Sequence, residues 1–222
     1  MSLYIGLMSG TSMDAIDAAL VSINGEQIDL VSFIEYPLPD FLKNKLKAVN
    51  STSYLSDIAS LDVATGELFA EAALQLLQES HTSSESIAAI GSHGQTIFHN
   101  PNGEYPSTIQ IADPNIIAAK TGITTVADFR RMDIALGGQG APLAPIYHLQ
   151  KFCCDHQRVI LNIGGFANIT ILDPGQPVIG FDTGPGNVLM DDWSKLKRQK
   201  DFDHNGYWAA SGTVNQNLLN DC

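Results

Sequence analysis

The chain has 222 residues, 44% of them hydrophobic and 16% charged, with a formal net charge of −12 at pH 7. That length builds one large core or two small ones, and the composition is that of a soluble globular protein. The acidic balance argues against nucleic acid as a main partner, because phosphate backbones demand clustered Lys and Arg, and no apolar run approaches the roughly 18–20 residues of a membrane span.

The chain opens on a short apolar run, Leu3 to Met8, that reads as a buried first strand. Ser9-Gly10-Thr11-Ser12 follows, then Asp14 and Asp17, and Ala18–Ile23 reads as a second strand ended by Asn24-Gly25, a strong hairpin signal. A tight turn rich in Gly, Ser and Thr exposes backbone N–H groups and hydroxyls without bulk, which suits phosphate oxygens. Carboxylates beside it would repel phosphate unless they hold Mg²⁺. An ordinary β-turn with solvated acids is the competing reading of the stretch alone. Neither a Walker A pattern nor a Gly-x-Gly-x-x-Gly fingerprint occurs.

A third strand is expected at Ile28–Pro37, then helices over 40–49 and about 55–79, with Ile58, Leu61, Leu68, Ala72 and Leu76 on one face. Ile87–Gly91 reads as a buried strand running into Ser92-His93-Gly94-Gln95-Thr96. Asp113-Pro114 is a helix start and Gly122 its stop. Ile123–Ala127 reads as a short strand delivering Asp128-Phe129-Arg130-Arg131, before the glycine-rich Gly137-Gly138-Gln139-Gly140-Ala141-Pro142-Leu143. Strands are expected at Arg158–Ile163, Ile169–Asp173 and Val178–Phe181, and a helix over about 187–199 in which Asp191 pairs with Lys195. The pattern is α/β with one mixed sheet flanked by helices, and no linker divides it. Cys153, Cys154 and Cys222 offer no disulfide framework and no paired metal knuckle, so buried thiols are expected. The N-terminus carries no secretion signal, which makes the cytoplasm the expected compartment.

Each polar loop begins just after an apolar strand run. In open α/β sheets ligands bind beyond the carboxyl ends of strands. Singly, His93 reads as a satisfied core histidine, the arginines as partners of Asp128, and Asp182 as an early helix cap. Their joint occurrence favours one convergent site.

Those same segments carry a resemblance. Met8–Asp14, Gly91–Thr96, Asp128-Phe129-Arg130, Gly137–Leu143, Asn162-Ile163-Gly164-Gly165 and Phe181-Asp182-Thr183-Gly184-Pro185-Gly186-Asn187 occur in the order found in the anhydro-N-acetylmuramic acid kinase family, a branch of the sugar-kinase, Hsp70 and actin superfamily. The resemblance implies an actin-like ATPase (ribonuclease H-like) domain, with residues 1–222 as the N-terminal domain and a second domain largely absent. Ala15 stands where most members carry Gly, which is harmless at negative φ and strained at positive φ.

The implied reaction uses ATP and water to convert 1,6-anhydro-N-acetylmuramic acid to N-acetylmuramic acid 6-phosphate in peptidoglycan recycling. By resemblance, Asp182 ends a buried strand beside the backbone donors of Gly184 and Gly186 and acts as general base. The stretch Gly10, Thr11, Ser12, Met13, Asp14, Ala15, Ile16, Asp17 holds the nucleotide phosphates, with Asp14 or Asp17 near Mg²⁺. Arg130 and Arg131 pair with the lactyl carboxylate, and His93, Gln139 and Asn187 meet sugar hydroxyls. The expected partners are a small sugar and ATP, with a homodimer left open and the 222 residues alone expected to be inactive. Two competing readings are a related superfamily kinase for another sugar and a non-catalytic half-protein that binds sugar or a partner chain. A thiol-dependent role for Cys153-Cys154 is disfavoured, because no base is evident beside them.

Overall fold

A computed structural model describes residues 2–221. They form two compact units that divide between Lys151 and Phe152, each with its own sheet.

The first unit opens with three antiparallel strands, β1 (Ser2–Ser9), β2 (Ala15–Asn24) and β3 (Gln27–Pro37). The Asn24-Gly25 signal is met: Asn24 pairs with Gln27, and Gly25 takes φ +61°, which a side chain would resist. Helices α1 (Asp40–Lys47) and α2 (Leu55–Glu79) come next, and then β4 (Ile87–Asn100) returns parallel to β1. Leu61, Thr65, Phe69, Ala72, Ala73 and Leu76 of α2 are buried, at the 3–4-residue spacing that lays one helix face on a core. That core is completed by Ile5 and Leu7 of β1, Ile16, Ala18 and Leu20 of β2, and Ile90 of β4.

Strand β4 continues through the Ser92–Thr96 motif, where the sequence suggests a loop, because its second half forms a hairpin with β5 (Ser107–Ile111). Its register shifts between Leu7 and Met8 of β1, close to Gly94 at φ +71°. A Cβ on Gly94 would lie 2.5 Å from the Ile111 carbonyl oxygen, so this position admits only glycine. Beyond β5 lie α3 (Pro114–Thr121), β6 (Thr125–Val126), α4 (Phe129–Ala135) and α5 (Ala144–Phe152). Helix α3 has the expected ends: Asp113 accepts from the Asn115 amide at 2.8 Å, and Gly122 closes it in the left-handed region. Strand β6 pairs parallel with β4, so the sheet is mixed, in the order β3-β2-β1-β4-β5 with β6 also on β4.

The second unit is an antiparallel meander of β7 (Arg158–Ile163), β8 (Phe166–Leu172) and β9 (Ile179–Pro185), then α6 (Val188–Arg198), α7 (Tyr207–Ala210) and α8 (Gln216–Asp221). These strands correct the expectation of a single sheet. Short turns let each strand pair with its sequence neighbour, and among the described residues they pair only with one another. Lys195 also departs from expectation: the chain turns back after Gln199, and Lys195 pairs with Asp201 at 3.2 Å instead of Asp191. No helix among the described residues is long and apolar enough to cross a membrane.

Candidate functional site

In the first unit the parallel strands β1, β4 and β6 deliver their carboxyl ends to the same end of the sheet. Register does this directly, since Met8 lies beside Gly94, Ser9 beside Gln95, and Gly91 beside both Gly6 and Val126. Adjacent strands sit about 4.8 Å apart, so the Ser9–Asp14 turn, the Ser92–Thr96 stretch and Asp128 at the start of α4 become neighbours.

The turn after β1 is held by two bonds. The Met13 amide donates to the Gly10 carbonyl at 3.2 Å, and the Ser9 hydroxyl donates to the Ala15 carbonyl at 3.1 Å. Met13 takes φ +55°; Ala15 is absent from the positive-φ residues and starts β2 opposite Pro37, so its methyl is accommodated. Thr11 and Ser12 are exposed, and a Cβ on Gly10 would meet nothing within 4 Å, which leaves room beside the backbone. Asp14 is ion-paired with Lys43 of α1. Burial raises its carboxyl, but the bond and charge of Lys43, a hydrogen bond from Ser12 and the charge of Lys47 outweigh that and hold it below 3.8. Ile16 is fully buried in the core, and Asp17 lies on β2 opposite Glu35. Burial, with the like charge of Glu35, pushes the Asp17 carboxyl above 3.8.

Mg²⁺ takes carboxylate oxygens and keeps several waters. A cation at Asp17 would relieve the repulsion from Glu35, whereas Asp14 already has a cation in Lys43. The residues therefore fit the ion, Asp17 better than Asp14.

His93 and Arg130, 37 residues apart in sequence, are bonded to each other: the Arg130 Nε–H donates to His93 Nε2 at 2.7 Å. The opposite ring nitrogen, Nδ1, lies 2.9 Å from the Gly94 carbonyl and donates to it, which fixes the tautomer that leaves Nε2 as acceptor. Burial holds this imidazole below 6.5; the Gly94 carbonyl opposes that, and the Arg130 charge reinforces it. Arg131 pairs with Asp128 at 3.4 Å on the surface. Gln139 is exposed, while the neighbouring Gly140 amide donates to Asp133 at 2.7 Å and so ties the glycine-rich turn to α4. Sequence reasoning passed over two side chains here. Ser92 and Gln95 are each 1% exposed, and Ser92 Oγ and Gln95 Oε1 have no partner. Their signal was a hydroxyl and an amide placed shortly after the apolar run Ile87–Gly91.

In the second unit the Asn162–Gly165 and Phe181–Asn187 motifs meet. The Gly186 amide donates to the Gly165 carbonyl at 2.8 Å, and the Asn187 amide to the Gly164 carbonyl at 2.9 Å. A Cβ on Gly186 would lie 2.2 Å from the Gly164 oxygen, so this close approach requires glycine. Two expectations about Asp182 are corrected. It lies within β9, opposite Asn168, because pairing continues to Pro185, and it is exposed instead of closing a buried strand. The Gly186 N–H beside it is already spent on Gly165. Asn168 Oδ1 is buried without a partner. Asn187 is half-buried at the start of α6. A hollow of about 830 Å³ lined by Tyr36, Glu71, Gln75 and His81, among others, contains none of these motif residues.

The thiol expectations also change. Cys153 is exposed and Cys154 half-buried, because both precede β7 in irregular chain; Cys222 lies outside the described residues. A base does sit beside them, since His156 Nε2 is 3.6 Å from Cys154 Sγ.

A three-strand antiparallel opening, a helical crossover, and a parallel return that carries polar loops to one sheet end make the first unit a mixed α/β domain. The Aquifex aeolicus member of the Ppx/GppA family has a remote likeness in structure, at TM-score 0.42 and 9% identity over 86% of this chain and 54% of that one. Sequence is more specific. The chain belongs to the anhydro-N-acetylmuramic acid kinase family, whose model matches residues 2–222. It is 52% identical over 221 residues to the anhydro-N-acetylmuramic acid kinase of Vibrio vulnificus (strain CMCP6), covering 98% of this chain and 60% of that protein. Against the Coxiella burnetii (strain Dugway 5J108-111) protein of the same name it is 54% identical over 223 residues, covering 97% and 59%. The chain thus spans about 60% of the length of these relatives.

Proposed function

We propose that these residues are the N-terminal portion of an ATP-dependent kinase that converts 1,6-anhydro-N-acetylmuramic acid and water to N-acetylmuramic acid 6-phosphate. In that reading the first unit belongs to the actin-like ATPase domain and the three-stranded unit continues the chain toward a second domain. Family membership across residues 2–222 carries the reading. The gathering of the first unit's motif segments, Met8–Asp14, Gly91–Thr96 and Asp128-Phe129-Arg130, at one sheet end supports it.

Asp182 acts as general base. Water adds to C1 of the sugar and gives its proton to the Asp182 carboxylate, the C1–O6 bond breaks, and O6 bonds to the γ-phosphorus as ADP departs. Since the phosphoryl group captures O6, that oxygen needs no separate acid. Thr11, Ser12 and the Gly10 backbone hold phosphate oxygens. Asp17, with Asp14 once released from Lys43, holds Mg²⁺, which neutralises phosphate charge when bound. Arg130 meets the sugar carboxylate, and its Nε contact with His93 orients the guanidinium for it. His93 then serves the sugar through Arg130, while Gln139, Asn187 and Arg131 are proposed to contact it directly. The partners are a small sugar and ATP, the compartment is the cytoplasm, and the net charge of −12 disfavours nucleic acid.

The non-catalytic alternative draws on one observation, the large apolar side chains exposed in the second unit, such as Leu161 at 57%, Ile163 at 62% and Leu196 at 70%. A fusion of residues 1–222 to the remaining part of the Vibrio vulnificus relative separates the readings. Incubated with ATP and the anhydro sugar in ¹⁸O-water, it is expected to give a phosphorylated product carrying one heavy oxygen. A phosphorylated product without added water would indicate another sugar acceptor, and no product would favour the binding role.

A further inference from the structure

Cys154, Asp155 and His156 lie just before β7, and nothing in the kinase reading uses them. Their ligand atoms lie within 4.8 Å of one another, the one such grouping of three among the described residues. His156 Nδ1 is 3.0 Å from Asp155 Oδ1. A carboxylate there takes the Nδ1 hydrogen and leaves the Nε2 lone pair free, and Nε2 faces Cys154 Sγ at 3.6 Å.

That separation has a metrical meaning. A tetrahedral zinc ion with Zn–S of about 2.3 Å and Zn–N of about 2.05 Å holds its sulfur and nitrogen about 3.6 Å apart. Carboxylate, imidazole and metal in sequence is also how zinc-bound histidines are oriented, with the carboxylate on the far ring nitrogen. We propose that Cys154 Sγ and His156 Nε2 form a two-ligand site for a thiophilic divalent cation such as Zn²⁺, with Asp155 as the positioning residue for the imidazole. Thiolate and imidazole select such ions over Mg²⁺, which prefers oxygen. The side chains of His156 and Asp155 are 67% and 98% exposed, so the ion enters from solvent and water completes its coordination. Cys154 also donates to the His156 carbonyl at 3.3 Å; binding replaces this contact and releases the thiol proton, so affinity rises with pH.

The test uses the reduced, metal-free 222-residue protein titrated with Co²⁺ and then Zn²⁺. Co²⁺ is expected to give a thiolate-to-cobalt charge-transfer band that Zn²⁺ displaces, with about one proton released per ion. Cys154→Ser and His156→Ala abolish the band, Cys153→Ser keeps it, and Asp155→Asn weakens affinity about tenfold or more. Far-ultraviolet circular dichroism checks that each variant remains folded. A band that survives in Cys154→Ser, one lost equally in Cys153→Ser, or no band at Co²⁺ concentrations that saturate free glutathione would each overturn the site. None of these outcomes depends on kinase activity.

Discussion

The His93–Arg130 contact gives the sharpest prediction about the first unit. His93 accepts from a cation through Nε2 and donates through Nδ1 to the Gly94 carbonyl, so it works only as neutral imidazole. A hydrogen bond to a charged donor contributes about 1.5–3 kcal/mol. His93→Gln keeps an acceptor of poorer reach and is expected to lose about 1–2 kcal/mol of stability at pH 8. The pH dependence comes from linkage. The folded pKa lies below 6.5, so the unfolded chain binds more protons near that value, and stability rises with pH there. Wild-type stability is therefore fully present above about pH 6.5 and declines as pH falls toward the folded pKa, whereas Gln does not titrate. Urea unfolding of both proteins at pH 8 and pH 5.5 should show the gap between them narrowing in acid. Carboxylate effects common to both cancel in the difference. Nitrogen NMR of the imidazole at pH 8 should find the proton on Nδ1. A gap unchanged between the two pH values, or a proton on Nε2, would refute the reasoning.

Gly94→Ala places a methyl 2.5 Å from the Ile111 carbonyl at φ +71°, and is expected to lose about 3 kcal/mol or more in urea unfolding. Asp17→Asn removes a carboxylate raised above 3.8, whose ionisation weakens the fold as pH climbs past that value; the variant should be more stable at pH 7 by less than about 1 kcal/mol and equal to wild type below pH 3. Gly186→Ala sets a methyl 2.2 Å from the Gly164 oxygen and should break the Gly186–Gly165 bond. Trp193 and Trp208 both lie in the second unit, so tryptophan fluorescence should report the unfolding of that unit.

Local signals carried much of the fold. Helix α2 occupies the span its apolar spacing indicates, β7 coincides with its apolar run, and Asp113-Pro114 and Gly122 bracket α3. What the sequence did not disclose depends on contacts between distant residues. Glycine-containing Ser92–Thr96 reads as a loop, and it remains strand because β1 pairs with Ser92, Gly94 and Gln95 on one side and β5, beyond a hairpin, takes up Gln95 and Thr96 on the other. His93 and Arg130 read as two separate sugar ligands because nothing local announces that they meet. For the strands after Arg158, an apolar run shows that a strand forms and leaves its partner open, so the separate three-stranded sheet was not legible. The base beside Cys154 was two residues away in plain sight, but only the turn before β7 brings His156 back onto the sulfur.

The proposed chemistry rests on Asp182 drawing the proton from water in the sugar-kinase reaction. It is tested most directly by placing Asp182→Asn in the fusion with the Vibrio vulnificus remainder and measuring turnover and ATP binding on the same preparation. Turnover is expected to fall by several orders of magnitude, in keeping with the loss of a general base, with ATP affinity nearly unchanged. Near-normal turnover in that variant would contradict it.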